Sequence, residues 1–260
     1  MTTDRMDETD IVLATDGSAY QNWQCAVFRD TMRGVGQRGR YVEVVDGSGE
    51  DITYPTHHRI KAMKRYLETA TAQSVWMMDP DMVFTGRLEL AHDNGVAVGE
   101  PIRDHLWAEI IPHAPEIRRR FSRRPERDIA FTQVPWILTR EDLARVIERW
   151  DALIYEVFHD ARTRALPGWN PWVTTSWCYW LVLAEYGIAQ RVLPLAHFPY
   201  EEELRLPLIH YCHKMRSGFY KRSYQPWTPI AAPRGDVPIC ERVTLEIIDA
   251  YARAQSPVSV

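Results

Sequence analysis

The sequence predicts an α/β protein: a mostly parallel sheet flanked by helices, in a single domain. Three observations carry this. In the first half of the chain, short apolar runs alternate with longer segments whose apolar residues recur every three or four positions, as strand–helix succession requires. The 260 residues are 45% hydrophobic and 25% charged, an ordinary globular balance with enough chain for a sizeable core. No internal repeat, low-complexity stretch or flexible linker divides the chain, so one domain is expected over residues 10–254, between tails at 1–9 and 255–260.

Taken in order, Asp10 to Asp16 is an apolar run ending in polar residues and predicts a buried first strand. Gly17-Ser18 makes a loop, Tyr20 to Arg33 a helix, and Gly34, Gly36 and Gly39 end it. Tyr41 to Val45 is a second strand. From Arg59 to Gln73, Ile60, Met63, Leu67 and Ala70 mark an amphipathic helix. Ser74 to Phe84 then reads as one strand and Gly95 to Gly99 as another. The stretch from Asp128 to Leu138 is apolar and β-rich, and helices follow over Glu141 to His159 and Thr174 to Tyr186. Two late short strands, Arg191 to Leu195 and Leu208 to Tyr211, precede a closing helix over Val243 to Ala254.

Composition narrows the function classes. A net charge of −4 gives no global reason for a polyanionic partner. Cys25, Cys178, Cys212 and Cys240 form no CxxC pair and read as reduced thiols of a cytoplasmic protein rather than a zinc site or disulfide frame. No apolar stretch reaches membrane-spanning length and no leader-like segment opens the sequence, so a soluble protein without a membrane partner is expected. No GxxxxGK[ST] occurs, which counts against P-loop chemistry, and the GxGxxG spacing at Gly34, Gly36 and Gly39 ends a helix where a dinucleotide fingerprint would open one after a strand. Aromatics crowd residues 169–227, among them Trp172, Trp177, Tyr179, Trp180, Tyr211, Tyr220, Tyr224 and Trp227, and most are expected in the core.

The stretch with most chemistry is Trp76-Met77-Met78-Asp79-Pro80-Asp81-Met82-Val83-Phe84. Two carboxylates inside an apolar run need a cation or hydrogen-bond donors to offset their desolvation. Residues two apart on a strand project to one side, so Asp79 and Asp81 can converge. Pro80 lacks an N–H, which places them at a strand end or edge. Two oxygen ligands there suit a hard divalent cation, Mg²⁺ or Mn²⁺, that also holds phosphate oxygens. The plainer alternative is a turn cap at Asp79 and an exposed Asp81.

At this point the chain resembles a known family. Ala14-Thr15-Asp16, Tyr20, Trp23-Gln24-Cys25 and Met78 to Phe84 are similar to segments of the plant and algal hydroxyproline O-arabinosyltransferases and their relatives, the peptidyl-serine α-galactosyltransferases. The likeness continues in order through Tyr54 to Leu67, Gln133 to Ile137, Trp172-Val173, Ile209 to Tyr211, Lys221 to Tyr224 and Pro233 to Pro238. The resemblance implies a GT-A-type (Rossmann-like) glycosyltransferase that uses a UDP-sugar and a divalent metal and retains anomeric configuration. It implies Asp79 and Asp81 as the metal- and diphosphate-binding acids, where the family usually has glutamate first. His210 would be the third metal ligand, with His213 its competitor. Thr15, Asp16, Tyr20, Gln24 and Arg59 would meet the nucleotide, and Lys221 and Arg222 would clamp its phosphates. Trp23 is expected to pack.

One departure is plain. Where the family has a glutamate beside Trp172-Val173, this chain has Thr174-Thr175-Ser176, so no catalytic base is assigned. Trp172 and Thr175 are the acceptor-side candidates. Arg118 to Arg127 supplies six arginines in ten residues. Through Arg119 and Arg123 such a run can follow a phosphate backbone, which makes a hydroxymethylated DNA base one acceptor class beside peptide hydroxyls and small molecules. A run of charge is more often a solvated face. The competing reading is a catalytically silent nucleotide- or nucleic-acid-binding module on the same fold.

Overall fold

The computed structural model describes residues 8–45, 57–90, 94–103, 108–212, 214–226, 228–230 and 236–255. Tyr54, His213, Trp227, Pro233 and the expected tails, save Glu8, Thr9 and Gln255, lie outside the described residues.

Strand β1 (Thr9–Thr15) leads through helix α1 (Ala19–Gly34) to β2 (Arg40–Val45), which pairs parallel to it. Helix α2 (His58–Thr69) returns the chain across β1 to β3 (Ser74–Met78), parallel to β1 on its other side. Right-handed crossovers in opposite directions put α1 and α2 on opposite faces of the sheet. The carboxyl ends of β1 and β3 therefore flank a topological switch point, where α/β sheets gather ligands.

The next strands are β4 (Met82–Phe84), β5 (Val96–Pro101) and β6 (Thr132–Thr139), followed by β7 (Ala189–Val192), β8 (Ala196–His197) and β9 (Leu208–His210). The main sheet has the order β2-β1-β3-β6-β5-β7, and only β6 of the six runs against the others. Pro135 interrupts β6 where the β5 ladder shifts register between Gly99 and Glu100, a place that tolerates a missing N–H. A second sheet, β4-β9-β8, adjoins the carboxyl edge.

Helix α3 (Ala114–Phe121), which the sequence reading missed, carries the first arginines of the basic run. Helices α4 (Arg140–His159) and α6 (Thr174–Tyr186) form one layer with α2, with the short α5 (Ala161–Arg164) between them in sequence; α7 (Ile239–Gln255) packs on α1. The result is a mixed α/β domain with a central, mostly parallel sheet flanked by helices, as expected. Strands β3 and β6 are buried along their whole length, as strands covered on both faces are.

Helix α6 is apolar around its circumference and buried from Thr174 to Glu185. Trp136 of β6 stacks on Tyr179 at 4.4 Å, and Trp150 of α4 meets Trp136 edge-on at 5.7 Å. The polar ends of this aromatic layer are partly satisfied: Trp150 donates to the Thr175 carbonyl at 3.0 Å and Trp180 to that of Thr132 at 2.8 Å. Core packing thus holds for Trp23, Trp177, Tyr179, Trp180 and Tyr211, whereas Trp172 is 49% exposed. None of the four cysteines is in a disulfide; burial pushes Cys25 up to about 12 and Cys240 up to about 11, so both stay protonated.

One expectation is corrected. Residues 74–84 are not one strand: the chain breaks at Asp79-Pro80-Asp81 and the two halves join different sheets. Pro80 cannot continue the ladder, and Met82 to Phe84 instead pair antiparallel with His210 to Leu208.

Candidate metal centre

The break that ends β3 builds the site. Asp79 follows the carboxyl end of β3, and Asp81 precedes β4, so both sit at the seam between the sheets. The register Met82↔His210 sets the His210 ring beside them, and Tyr211 N–H donates to the Asp81 carbonyl at 2.9 Å. His210 Nε2 lies 3.3 Å from Asp81 Oδ1 and 3.6 Å from Asp79 Oδ2. Ligand-type atoms of all three residues fall within 4.8 Å of one another, with Asp81 and His210 buried. The carboxylates converge because the chain turns between two sheets, and not because they alternate along one strand.

Among the described residues, Arg59 and Lys221 share these acids. Arg59, in the first turn of α2, donates to Asp79 Oδ1, and its guanidinium lies 5.3 Å over the Trp136 ring. Lys221 donates to Asp81 Oδ2 with only 12% of its side chain exposed. Burial alone would raise the Asp81 pKa, but Lys221 and His210 outweigh it and hold the carboxyl below the ordinary range. The converse applies to Lys221, where burial opposes the charge and Asp81 restores it. Burial likewise disfavours a charged His210, and the neighbouring Cys212 and Asp81 override it and raise its pKa.

The donor set fits a divalent cation. Two carboxylates and an imidazole are the oxygen and nitrogen ligands that Mg²⁺ and Mn²⁺ accept. A cation with bonds of about 2.1 Å separates neighbouring ligands by about 3 Å and opposite ones by about 4 Å. The observed contacts of 3.3 and 3.6 Å already match the shorter span.

The structure brings several other expected residues to the same edge. Thr15 ends β1 and is buried, its hydroxyl accepting from Gly17 N–H at 3.1 Å. Asp16 is exposed and accepts from Ser18 N–H at 2.8 Å, shaping the turn into α1. Tyr20 stands in the first turn of α1, within electrostatic reach of Lys221, and its carbonyl takes the Gln24 amide at 2.6 Å. Gln24 is therefore engaged with its own helix and 2% exposed. Arg222 is exposed and lies 5.8 Å over the Trp172 ring, at the head of α6. Thr175 is 1% exposed inside the aromatic layer, so its side chain is not on an accessible face.

Arg119 and Arg123 are placed elsewhere. The Arg123 N–H donates to Glu185 Oε1 at 2.8 Å. Glu185 is ten residues beyond Thr175 on α6, about 15 Å along the helix axis. Both arginines are exposed, while Arg118, Arg120 and Arg127 bond to the Arg127 carbonyl, Asp160 and the Ala184 carbonyl respectively. Half of the basic run is thus internal scaffolding. Its exposed half marks the end of α6 opposite to the acids.

Sequence reasoning passed over three residues that shape the site. Trp136 supports Arg59, Cys212 lies against His210, and Glu241 holds the turn before Lys221. Cys212 was findable, two residues beyond His210. Glu241 had no local signal, because its partners are backbone amides 24 and 25 residues away.

No protein-family model matches the sequence, and no curated protein matches it. Among solved structures, the chain is similar to the apo structure of WbbM, a bifunctional glycosyltransferase. The TM-score is 0.51 at 9% identity over 95% of this chain. The chain spans about half of that one, 51%. At this identity the likeness is one of fold. Among the described residues, no helix is long and apolar enough to cross a membrane.

Proposed function

We propose that this chain is a metal-dependent glycosyltransferase of the GT-A type, moving arabinose or a hexose from a UDP-sugar to a hydroxyl acceptor. The observation that carries the reading is the convergence of Asp79, Asp81 and His210 within 4.8 Å at the switch-point edge of the sheet. The fold likeness to a protein described as a bifunctional glycosyltransferase supports it, as does the ordered motif resemblance to the arabinosyl- and galactosyltransferases.

In this reading Asp79, Asp81 and His210 hold Mn²⁺ or Mg²⁺, which when bound offsets charge on the departing diphosphate. Lys221 and Arg59, already beside the acids, face the phosphates, and Arg222 closes from the exposed side. Asp16 and Tyr20, around the turn from β1 into α1, form the nucleoside side, and the buried Thr15 and Gln24 shape that turn from within through Gly17 N–H and the Tyr20 carbonyl. The bond from the anomeric carbon to the diphosphate oxygen breaks and a bond to the acceptor oxygen forms on the same face. The acceptor proton passes to the leaving phosphate, so the glutamate missing near Thr175 is not needed as base. Trp172, exposed at the head of α6, is the acceptor-side surface in this arrangement.

The test is a donor screen: purified protein with Mn²⁺ and a panel of UDP-pentoses and UDP-hexoses, following released UDP with and without EDTA. EDTA-sensitive release from one donor supports the reading and names the sugar. Trials with hydroxyproline peptides and hydroxymethylated DNA then sort the acceptor. If no donor is turned over with any acceptor while UDP or DNA still binds, the silent binding module replaces it.

A further inference from the structure

We propose that Glu241 is a positioning residue for Lys221, acting through the turn that joins it to His210. The inference rests on the donor-binding reading of Lys221 given above.

The segment from His210 to Lys221 links two side chains that meet on Asp81. It leaves β9 with the Tyr211 N–H on the Asp81 carbonyl, then folds into a turn at Met215–Phe219. There Met215 N–H donates to the Phe219 carbonyl and Gly218 N–H to that of Met215, each at 3.0 Å. Gly218 has φ +89°, a conformation that side chains disfavour. At the apex, Arg216 N–H donates to Glu241 Oε2 at 2.7 Å and Ser217 N–H to Oε1 at 2.6 Å.

Both oxygens of a carboxylate that is 1% exposed are thus spent on two successive amides of an exposed turn. Glu241 stands in the first turn of α7, where the helix end favours its charge, and the two N–H donors offset its burial. On the far side of the lysine, the Tyr224 ring packs edge-on to Trp23 at 5.0 Å. Lys221 therefore lies between two fixed points, one aromatic and one ionic. A lysine stem is flexible, so its ammonium reaches a defined place only when its backbone is held. Glu241 supplies that hold without touching the acids itself.

The experiment compares wild type, Glu241→Gln, Glu241→Asp, Lys221→Ala and the Glu241→Gln/Lys221→Ala double variant by calorimetric titration with Mn²⁺ alone and with UDP in saturating Mn²⁺. Thermal midpoints are recorded in parallel. Glutamine keeps the shape but turns an NH₂ toward one of the two amides. The expected result for it is an Mn²⁺ Kd within about twofold of wild type, a near-native midpoint and a UDP Kd weaker by about tenfold, the usual size for a supporting partner. In the Lys221→Ala background the same change adds less than about twofold, because the residue it positions is gone. Aspartate, charged but shorter, falls between glutamine and wild type.

Unchanged UDP affinity in Glu241→Gln overturns the proposal, as does full additivity in the double variant. A parallel loss of midpoint and of both affinities in Glu241→Gln, with wild-type UDP affinity in Glu241→Asp, marks a structural glutamate and also overturns it. Failure of the wild type to bind UDP with Mn²⁺ removes the donor reading itself, a result distinct from all of these.

Discussion

Lys221 and Asp81, 140 residues apart in the chain, form an ion pair inside the protein at the seam between its two sheets. Neither side chain is more than 12% exposed, so each depends on the other to stay charged. Asp81 is also tied through its carbonyl to Tyr211, so the pair connects the turn after β3 to the strand that presents His210. Each of the two aspartates thus meets a cation of the chain, Asp81 through Lys221 and Asp79 through Arg59.

Replacing Asp81 with Asn should therefore act on stability and on binding at once. It strands a buried ammonium, at a cost of about 3 kcal/mol in urea unfolding. It also removes Mn²⁺ binding, readable by the paramagnetic resonance of free Mn²⁺. Adding Lys221→Met should restore most of the stability and none of the binding. A loss under about 1 kcal/mol in the single variant would mean that the pair is solvated.

Lys221→Met alone should move two ligands in opposite directions. Asp81 loses its resident cation, so Mn²⁺ should bind at least as tightly as in wild type. UDP in saturating Mn²⁺ should bind about tenfold more weakly, the order expected for one charge-assisted contact to phosphate. Weakening of both would place Lys221 in the support of the carboxylates and not in contact with the donor.

The residues that the sequence made legible are those whose neighbours in the chain constrain them. The alternation from β1 to β3 announces a parallel sheet, and Pro80 between two acids announces a strand end. That the strand ends by changing sheets was not legible, because the partner of Met82 to Phe84 is β9, more than a hundred residues later. Arg59 could be nominated only through family likeness, since its role depends on Asp79 and Trp136 arriving from two other strands. The arginine run misled in the opposite sense. Its spacing is that of a charged face, yet Arg118, Arg120 and Arg127 are consumed by carbonyls and by Asp160.

Arg119→Ala and Arg123→Ala together should leave donor turnover within about twofold and stability within about 0.5 kcal/mol, as for exposed positions in general. The place of Arg123 at the far end of α6 from Thr175, and of Arg119 on α3 four residues before it, is the reason. A tenfold loss confined to a DNA acceptor would restore the basic run as an acceptor surface, and salt titration of that binding would show a steep slope.

Asp151 offers a test through pH. On α4 it accepts from His57 at 2.9 Å, Lys61 at 3.0 Å and Lys64 at 3.1 Å, and so fastens α4 to α2. Burial would raise its pKa, but these three partners outweigh burial and hold the carboxyl below its ordinary range. The folded value thus lies under the unfolded one, near 4. The stabilisation is complete above about pH 5 and is lost as pH falls toward the folded pKa. Asp151→Asn should cost about 2 kcal/mol at pH 7 and flatten the acid limb of the stability curve below about pH 4. Since α2 presents Arg59 to Asp79, the variant should also weaken UDP binding at pH 7 while sparing Mn²⁺, whose proposed ligands stand on other elements. A stability curve that keeps the wild-type acid slope would show that Asp151 titrates alike in the folded and unfolded chains and that its contacts do not carry the acid limb.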